Sequence, residues 1–268
     1  MNYAARVWIV IVSAFVGVAG TLLFVPPIPQ DPAYHLFADI RTCLGIPNFG
    51  NVVSNAAFIV VGVLGLLVIS RKPVPQQIRS APHNLPFVVF FISIIAVGIG
   101  SAYYHWQPDN ESLFWDRLPM TMGFMSITAA IIADRIHRGI GFWVVFPALL
   151  TLGLASLVYW SYTETVGQGD LRLYGLVQFL PMLLIPIICF LFPKANYTET
   201  SYILGLIFFY GIALGFDGFD AGFYEFAGNF VSGHTAKHLF AALAAAFVVL
   251  MFRAGAAPHS DDKNLTNH

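Results

Sequence analysis

Three of the eight histidines in this chain stand inside otherwise apolar segments. His105 ends the run Gly98-Ile-Gly-Ser101-Ala-Tyr-Tyr-His105, and His234 and His238 bracket His234-Thr-Ala-Lys-His238. The spacing of His234 and His238 is i, i+4, which is how a helix presents two imidazoles to one metal ion. Ser101 and His105 share the same spacing, so a hydroxyl and an imidazole point the same way. Three histidines with a fourth position open form the ligand set of a catalytic zinc site, where a coordinated water is acidified. An acid beside that water can serve as general base, and Asp116 is the acid set deepest in an apolar segment. A hydroxyl such as Ser101 can donate to a developing oxyanion. The constellation therefore points to metal-assisted hydrolysis of a carbonyl compound.

Each residue also has a plainer reading. A histidine at a membrane interface can be a simple interfacial polar group. Ser101 can bond back to a carbonyl of its own helix, and Asp116 can pair with Arg117 or Lys237. What favours zinc, with His105, His234 and His238 as ligands, is the common depth of the three histidines and the acid.

The elements that must position these residues are membrane spans. The 268 residues are 57% hydrophobic and 10% charged, with a mean hydropathy of +0.73, whereas soluble domains carry about 25% charged residues. A span needs about 20 apolar residues. Eight segments qualify, at 7–25, 50–70, 86–105, 113–133, 141–160, 173–193, 201–216 and 234–252. The fold class expected is all-α, a polytopic transmembrane helix bundle with a seven-helix core and one extra N-terminal helix. The domain reading is a transmembrane helix at 1–25, an outer loop at 26–49, a catalytic core at 50–252 and a disordered cytoplasmic tail at 253–268. The first segment has a rival reading as a signal peptide. Its long apolar run and the lack of a small-x-small site before the Pro-rich stretch 25–29 favour a retained helix.

Charge sets the orientation. With the N-terminus cytoplasmic, the inner segments hold Arg6, Arg71, Lys72, Arg79, Arg135, Arg138, Lys194, Arg253 and Lys263. The outer segments hold only Arg41, Arg117, Arg172 and Lys237, and most acids lie on that side. This is the bias of the positive-inside rule. It places both termini in the cytoplasm and the histidines near the outer face, which for a bacterial inner membrane is the periplasmic one. No basic run could neutralise nucleic-acid phosphates. Cys43 and Cys189 show no paired spacing, so neither a disulfide nor a thiolate site is expected.

Two softer features remain. Asn51 and Asn55, with Ser54 between them, share a face at the start of the second span. They serve either helix capping and interhelical bonding or orientation of a ligand. The outer acids Asp31, Asp39, Asp217 and Asp220 could bind calcium, which takes several oxygen ligands, but solvated loop charges are the favoured reading.

Taken together, Asn51-Val-Val-Ser-Asn55, Gly98-Ile-Gly-Ser101-Ala-Tyr-Tyr-His105, Asp116-Arg-Leu-Pro-Met120 and His234-Thr-Ala-Lys-His238 resemble the motifs of the alkaline ceramidase family. That family belongs to a wider superfamily of seven-helix membrane hydrolases that includes the progestin and adipoQ receptors. The resemblance spans roughly residues 39–252, and the Asn-x-x-Ser-Asn and Asp-x-Leu-Pro-Met forms point to the ceramidase branch, closest to its bacterial members. It implies an intramembrane amidase that splits ceramide into a fatty acid and a sphingoid base. It also implies zinc on His105, His234 and His238, Asp116 working on water, and Ser101 at the oxyanion. Animal members carry a glutamate three residues before the first motif asparagine as part of a calcium site. Asn48 stands there in this chain, which argues against Ca2+. The competing readings are a receptor or transport protein with a structural zinc, and a haem protein with two axial histidines. The haem reading leaves the third histidine unexplained.

Overall fold

A computed structural model describes residues 1–70 and 84–255. The described residues are helical apart from connecting turns and an isolated bridge between Cys43 and Ile46. Arg71, Lys72, Arg79 and the polar tail from residue 256, including Lys263, lie outside the described residues. The principal helices are α1 (Tyr3–Phe24), α2 (Phe49–Ser54), α3 (Ala56–Ser70), α4 (Leu85–Trp106), α5 (Asn110–Arg135), α6 (Phe146–Thr165), α7 (Arg172–Leu191), α8 (Thr200–Gly218), α9 (Asp220–Phe226) and α10 (Gly233–Gly255). Helix α10 runs past Arg253, so the tail begins later than the expected boundary.

Seven helical segments among the described residues are long and apolar enough to cross a membrane, with α2 and α3 forming one and the helical turns from Arg138 joined to α6. The protein is thus a polytopic membrane bundle. The eighth expected span, α5, is the exception and the most informative helix. Its 26 residues extend ~39 Å at 1.5 Å per residue, long enough to cross. Yet it carries Asp116, Arg117, Thr121, Ser126, Thr128 and Arg135, all buried. Helix α5 packs against α4, α6 and α7, so protein rather than lipid covers it. A polar helix at membrane depth is tolerated where protein surrounds it. The Thr121 and Thr128 hydroxyls donate to Leu118 O and Phe124 O, 2.8 and 2.7 Å away, which satisfies them without any outside partner.

Helices α3 and α4 pack as antiparallel neighbours. Along α3 and α4, Gly62 lies against Phe91 and Ile95, while Asn55 and Ile59 lie against Gly98. A Cβ on Gly62 would sit 2.8 Å from the Phe91 carbonyl oxygen, so glycine lets the two backbones approach, as small residues do in membrane bundles. Three residues join α4 to α5, and Asp109 starts α5 with a capping box. Its carboxylate accepts from Ser112 N at 2.7 Å, while its own N–H donates to Ser112 Oγ at 3.1 Å. Such a reciprocal cap fixes where the helix starts, and hence the depth of Asp116.

The ends of the bundle are stapled by buried polar groups. At the end remote from the histidines, Arg135 donates to Phe192 O, to Thr198 O and Oγ1 and to Thr200 Oγ1, while Asp134 accepts from Asn196, Tyr197 and Thr198. Helix α1 leans mainly on α7. Arg6 donates to Leu191 O at 3.0 Å, and Arg172 donates to Leu22 O and Val25 O at 3.2 and 2.9 Å. Arg172 is itself aimed by Asp170, 2.7 Å away.

The packing makes two outcomes measurable. Gly62→Val should cost about 1–3 kcal/mol through overpacking, and an unshifted thermal midpoint in detergent would contradict the close α3–α4 contact. The Arg172 guanidinium lowers the Asp170 carboxyl from 3.8 to about 2. A depressed folded pKa contributes stability that is present above 3.8 and lost as pH falls towards 2. Protection of the Leu22–Val25 amides, taken relative to the intrinsic exchange rate at each pH, should therefore fall on acidification through that window, and should already be low at neutral pH in Asp170→Asn.

Candidate metal centre

Four helices meet at one end of the bundle to build the site. Helix α4 delivers His105 in its last turn, α10 delivers His234 and His238 in its first turns, α2 packs between them, and α5 brings Asp116 alongside. His105, His234 and His238 are each buried. One ring nitrogen from each lies within 4.8 Å of the others. Their ring centroids are 4.7 to 4.9 Å apart, and Nε2 of His105 faces Nε2 of His234 at 3.2 Å. Two nitrogens on a tetrahedral zinc at about 2.0–2.1 Å would be ~3.3 Å apart, so the residues present fit such an ion.

The outward nitrogens strengthen that fit. Nδ1 of His234 donates to Asp217 Oδ1 at 2.8 Å. Nδ1 of His238 lies 2.8 Å from Ser54 Oγ, whose own proton goes to Asn51 O at 3.2 Å. Ser54 therefore accepts from Nδ1–H. Both bonds assign the Nδ1–H tautomer and leave the Nε2 lone pairs facing the cluster. Carboxylate or hydroxyl support behind a ligating imidazole is the arrangement that fixes ring orientation at metal sites. Asp217 also accepts from Lys237 Nζ at 3.0 Å. Lys237, counted with the outer charges in the sequence, is turned into the bundle.

Several residues that the sequence left ambiguous have distinct places. Asn51 is fully buried and its Oδ1 accepts from Ser232 Oγ and Thr235 Oγ1 at 3.1 and 2.8 Å, tying α2 to the start of α10. Asn55 donates to Asn51 O at 2.7 Å, at the one-residue break between α2 and α3. This is interhelical and capping work, the first of the two readings. Asn48, with a left-handed backbone (φ 44°), donates to His105 O at 2.9 Å and so holds the end of α4. The outer acids are not solvated loop charges as a group. Asp39 is buried and paired with Arg41 at 2.7 Å, which lowers its carboxyl below the usual value. Asp31 caps the turn at Ala33, and Asp220 accepts from His234 N and Ala38 N. Asp31, Asp39, Asp217 and Asp220 thus each hold protein partners, and Asp217 and Asp220 converge on His234.

Arg117 does not belong to Asp116 alone. Its guanidinium sits over the rings of Trp160, Tyr174 and Tyr34, 4.5, 4.6 and 5.4 Å from their centroids, and donates to Gln30 Oε1 at 2.8 Å. Asp116 and Ser101 instead line the same cavity. The backbones of their helices come close for a specific reason. Pro119 lacks the N–H that would bond Trp115 O, and Gly100 lets α4 close on that carbonyl, where a Cβ would overlap it.

Asp116, Ser101, Lys237 and His238 line one end of a cavity of about 600 Å3 whose remaining wall is mainly apolar. That volume is within the range of ligand sites, roughly 300–1,000 Å3. On the opposite side the cluster is roofed by Phe37, whose ring centroid is 4.6 Å from His105 and 4.8 Å from His234. Sequence reasoning singled out neither Phe37 nor the partnership of Asp217 with His234. Asp217 sits where the seventh span was expected to end, and only the α8–α10 packing brings it to the imidazole.

Asp217→Asn keeps the shape of the support but removes its charge. It should weaken the grip of the three imidazoles on an added metal ion by about 10- to 100-fold, measured by chelator competition, and wild-type affinity would show that Asp217 supports nothing.

The family model described as Ceramidase matches residues 43–215. That span includes Ser101, His105 and Asp116, and leaves α1 and α10 outside it. No curated protein matches the chain.

Proposed function

We propose that this chain, which belongs to the ceramidase family, is a zinc-dependent intramembrane amide hydrolase that cleaves ceramide-type N-acyl sphingoid lipids to a fatty acid and a sphingoid base. The carrying observation is that a three-imidazole cluster reaches, through His238, an apolar cavity that a carboxylate, Asp116, and a hydroxyl, Ser101, also line. The reading takes His105, His234 and His238 as the zinc ligands, and Asp116 and Ser101 as the catalytic residues. The segment 50–252 is the catalytic core.

A zinc ion held there supplies Lewis acidity towards the amide carbonyl and the attacking water. The protein supplies the rest. The Asp116 carboxylate, buried beside His238 in the cavity wall, takes a proton from the water that adds to the carbonyl carbon. It returns that proton to the nitrogen as the C–N bond breaks, so the amine leaves neutral. Ser101, which lines the cavity with Asp116, donates to the oxygen that gains charge at the carbonyl. Phe37 and the surrounding helices keep bulk water out, which strengthens each of these interactions. The apolar cavity receives substrate hydrocarbon, and the membrane supplies the substrate. Basic residues concentrate at the other end of the bundle, so the reading sets this site at the periplasmic face of a bacterial inner membrane with both termini cytoplasmic.

Two variants test this. His238→Ala should lose both bound zinc and hydrolysis of a fluorescent ceramide. Asp116→Asn should keep its zinc and lose about 10²- to 10⁴-fold in kcat. Full turnover by either variant would defeat the proposal. A metal analysis showing zinc with Asp116 as a fourth protein ligand would favour the receptor or transport reading, in which zinc is structural.

A further inference from the structure

The cavity has a wall that the family match does not reach. Beyond the polar end at Asp116 and His238, it extends between α5, α7 and α8 to the first helix, where Gly17, Thr21 and Val25 line it. These three positions are spaced i, i+4, i+8, so they form one stripe of α1. Val10, the buried residue of this helix, lies on the same side, and Val7 packs on the main core. The far face of α1 is exposed, including Phe15 at 70% and Leu23 at 76%. Gly17 abuts α7, because a Cβ there would come 2.8 Å from Leu180 Cδ1. The Thr21 hydroxyl donates to Gly17 O at 2.9 Å, which hides its proton and leaves an apolar face towards the cavity. The helix is pinned at its start by Arg6 and at its end by Arg172, so its middle stands as a fixed partition between cavity and bilayer.

From this geometry we propose that α1 walls the binding site for the acyl chain of the substrate, and that Gly17 and Thr21 set the chain length accepted. The inference rests on the amidase reading above. The acyl chain is assigned to this limb because it leaves the carbonyl carbon without polar substituents, and the limb offers apolar walls at Gly17, Leu180 and Leu183. The sphingoid side carries hydroxyls beside the amide, which need polar partners. Asp116, Ser101 and Lys237 stand at the other end of the cavity, whereas the polar side chains on the α7 wall, Arg172 and Gln178, are already engaged by Asp170 and Tyr210.

The experiment uses the full-length protein. Wild type, Gly17→Leu, Thr21→Leu and the outward-facing control Phe15→Ala are assayed on ceramides with acyl chains of increasing length on one sphingoid base. The ratio of kcat/KM for long over short acyl chains should fall about tenfold or more in both cavity variants and stay at the wild-type value in Phe15→Ala. An unchanged ratio in both cavity variants, or a shift only when the sphingoid chain is varied, overturns the inference. In parallel, a long-chain fatty acid carrying a diazirine near its methyl end is photolysed with the wild-type protein. Cross-links within residues 17–25 support the wall without any need for catalysis or variants, and cross-links confined to other helices overturn it. A mature chain beginning after residue 25 would overturn it as well. If wild type cleaves no N-acyl lipid but the cross-link forms on α1, the amidase reading fails and the chain-binding wall stands.

Discussion

Three imidazoles packed within 5 Å of one another in an apolar bundle impose a demand that the rest of the structure meets. The rings of His234 and His238 must keep one orientation, because a flipped imidazole would bury a polar N–H without a partner at a cost of about a few kcal/mol. His105, whose Nδ1 is buried without a hydrogen-bond partner, is held by packing. Asp217 and Ser54 hold two of the rings from behind, and Phe37 with Tyr104 boxes the third. Those supports need supports in turn. Lys237 balances Asp217, Asn51 takes the Ser54 proton, and Ser232 and Thr235 fix Asn51. The helices therefore meet in one register at this end of the bundle.

The same logic explains why the least apolar long helix lies at the centre. Helix α5 carries an acid, two arginines and several hydroxyls into the membrane-spanning region, and each is covered by protein. Arg117 rests among three aromatic faces and Gln30, an environment that suits a weakly hydrated guanidinium. Asp116, one residue earlier, faces a different direction and lines the cavity with Ser101. Adjacent positions on a helix diverge by about 100° at 3.6 residues per turn, and that divergence separates a packing arginine from a carboxylate left for the cavity.

Polar and apolar regions of the cavity are divided. Asp116, Ser101, Lys237 and His238 gather where α4, α5 and α10 converge, and the wall towards α1 is mainly apolar, its Arg172 and Gln178 held by Asp170 and Tyr210. Hydrolysis of a lipid amide requires such a division, since the bond must meet charge while the chains stay out of water. The loop between α1 and α2 completes it. His35 lies 3.0 Å from both Tyr104 Oη and Asn110 Oδ1, and Ala38 is held by Asp220, so Phe37 is set over the histidines from both sides.

The class of the protein, the number and places of its long helices, and the gathering of His105, His234 and His238 were all legible in the sequence. Apolar runs set by membrane thickness and i, i+4 spacings are local properties, and short connections such as the one between α4 and α5 leave little freedom. The pairing of Asp217 with His234, the cover of Phe37, the inward turn of Lys237 and the sharing of one cavity by α1 and Asp116 were decided by tertiary structure. Each joins residues distant in the chain or selects among directions that sequence leaves equal. Asp217 could have been a solvated loop acid, and only the packing of α8 on α10 set it behind an imidazole. The three histidines were written in the chain, and the arrangement that holds their lone pairs on one point belongs to the fold.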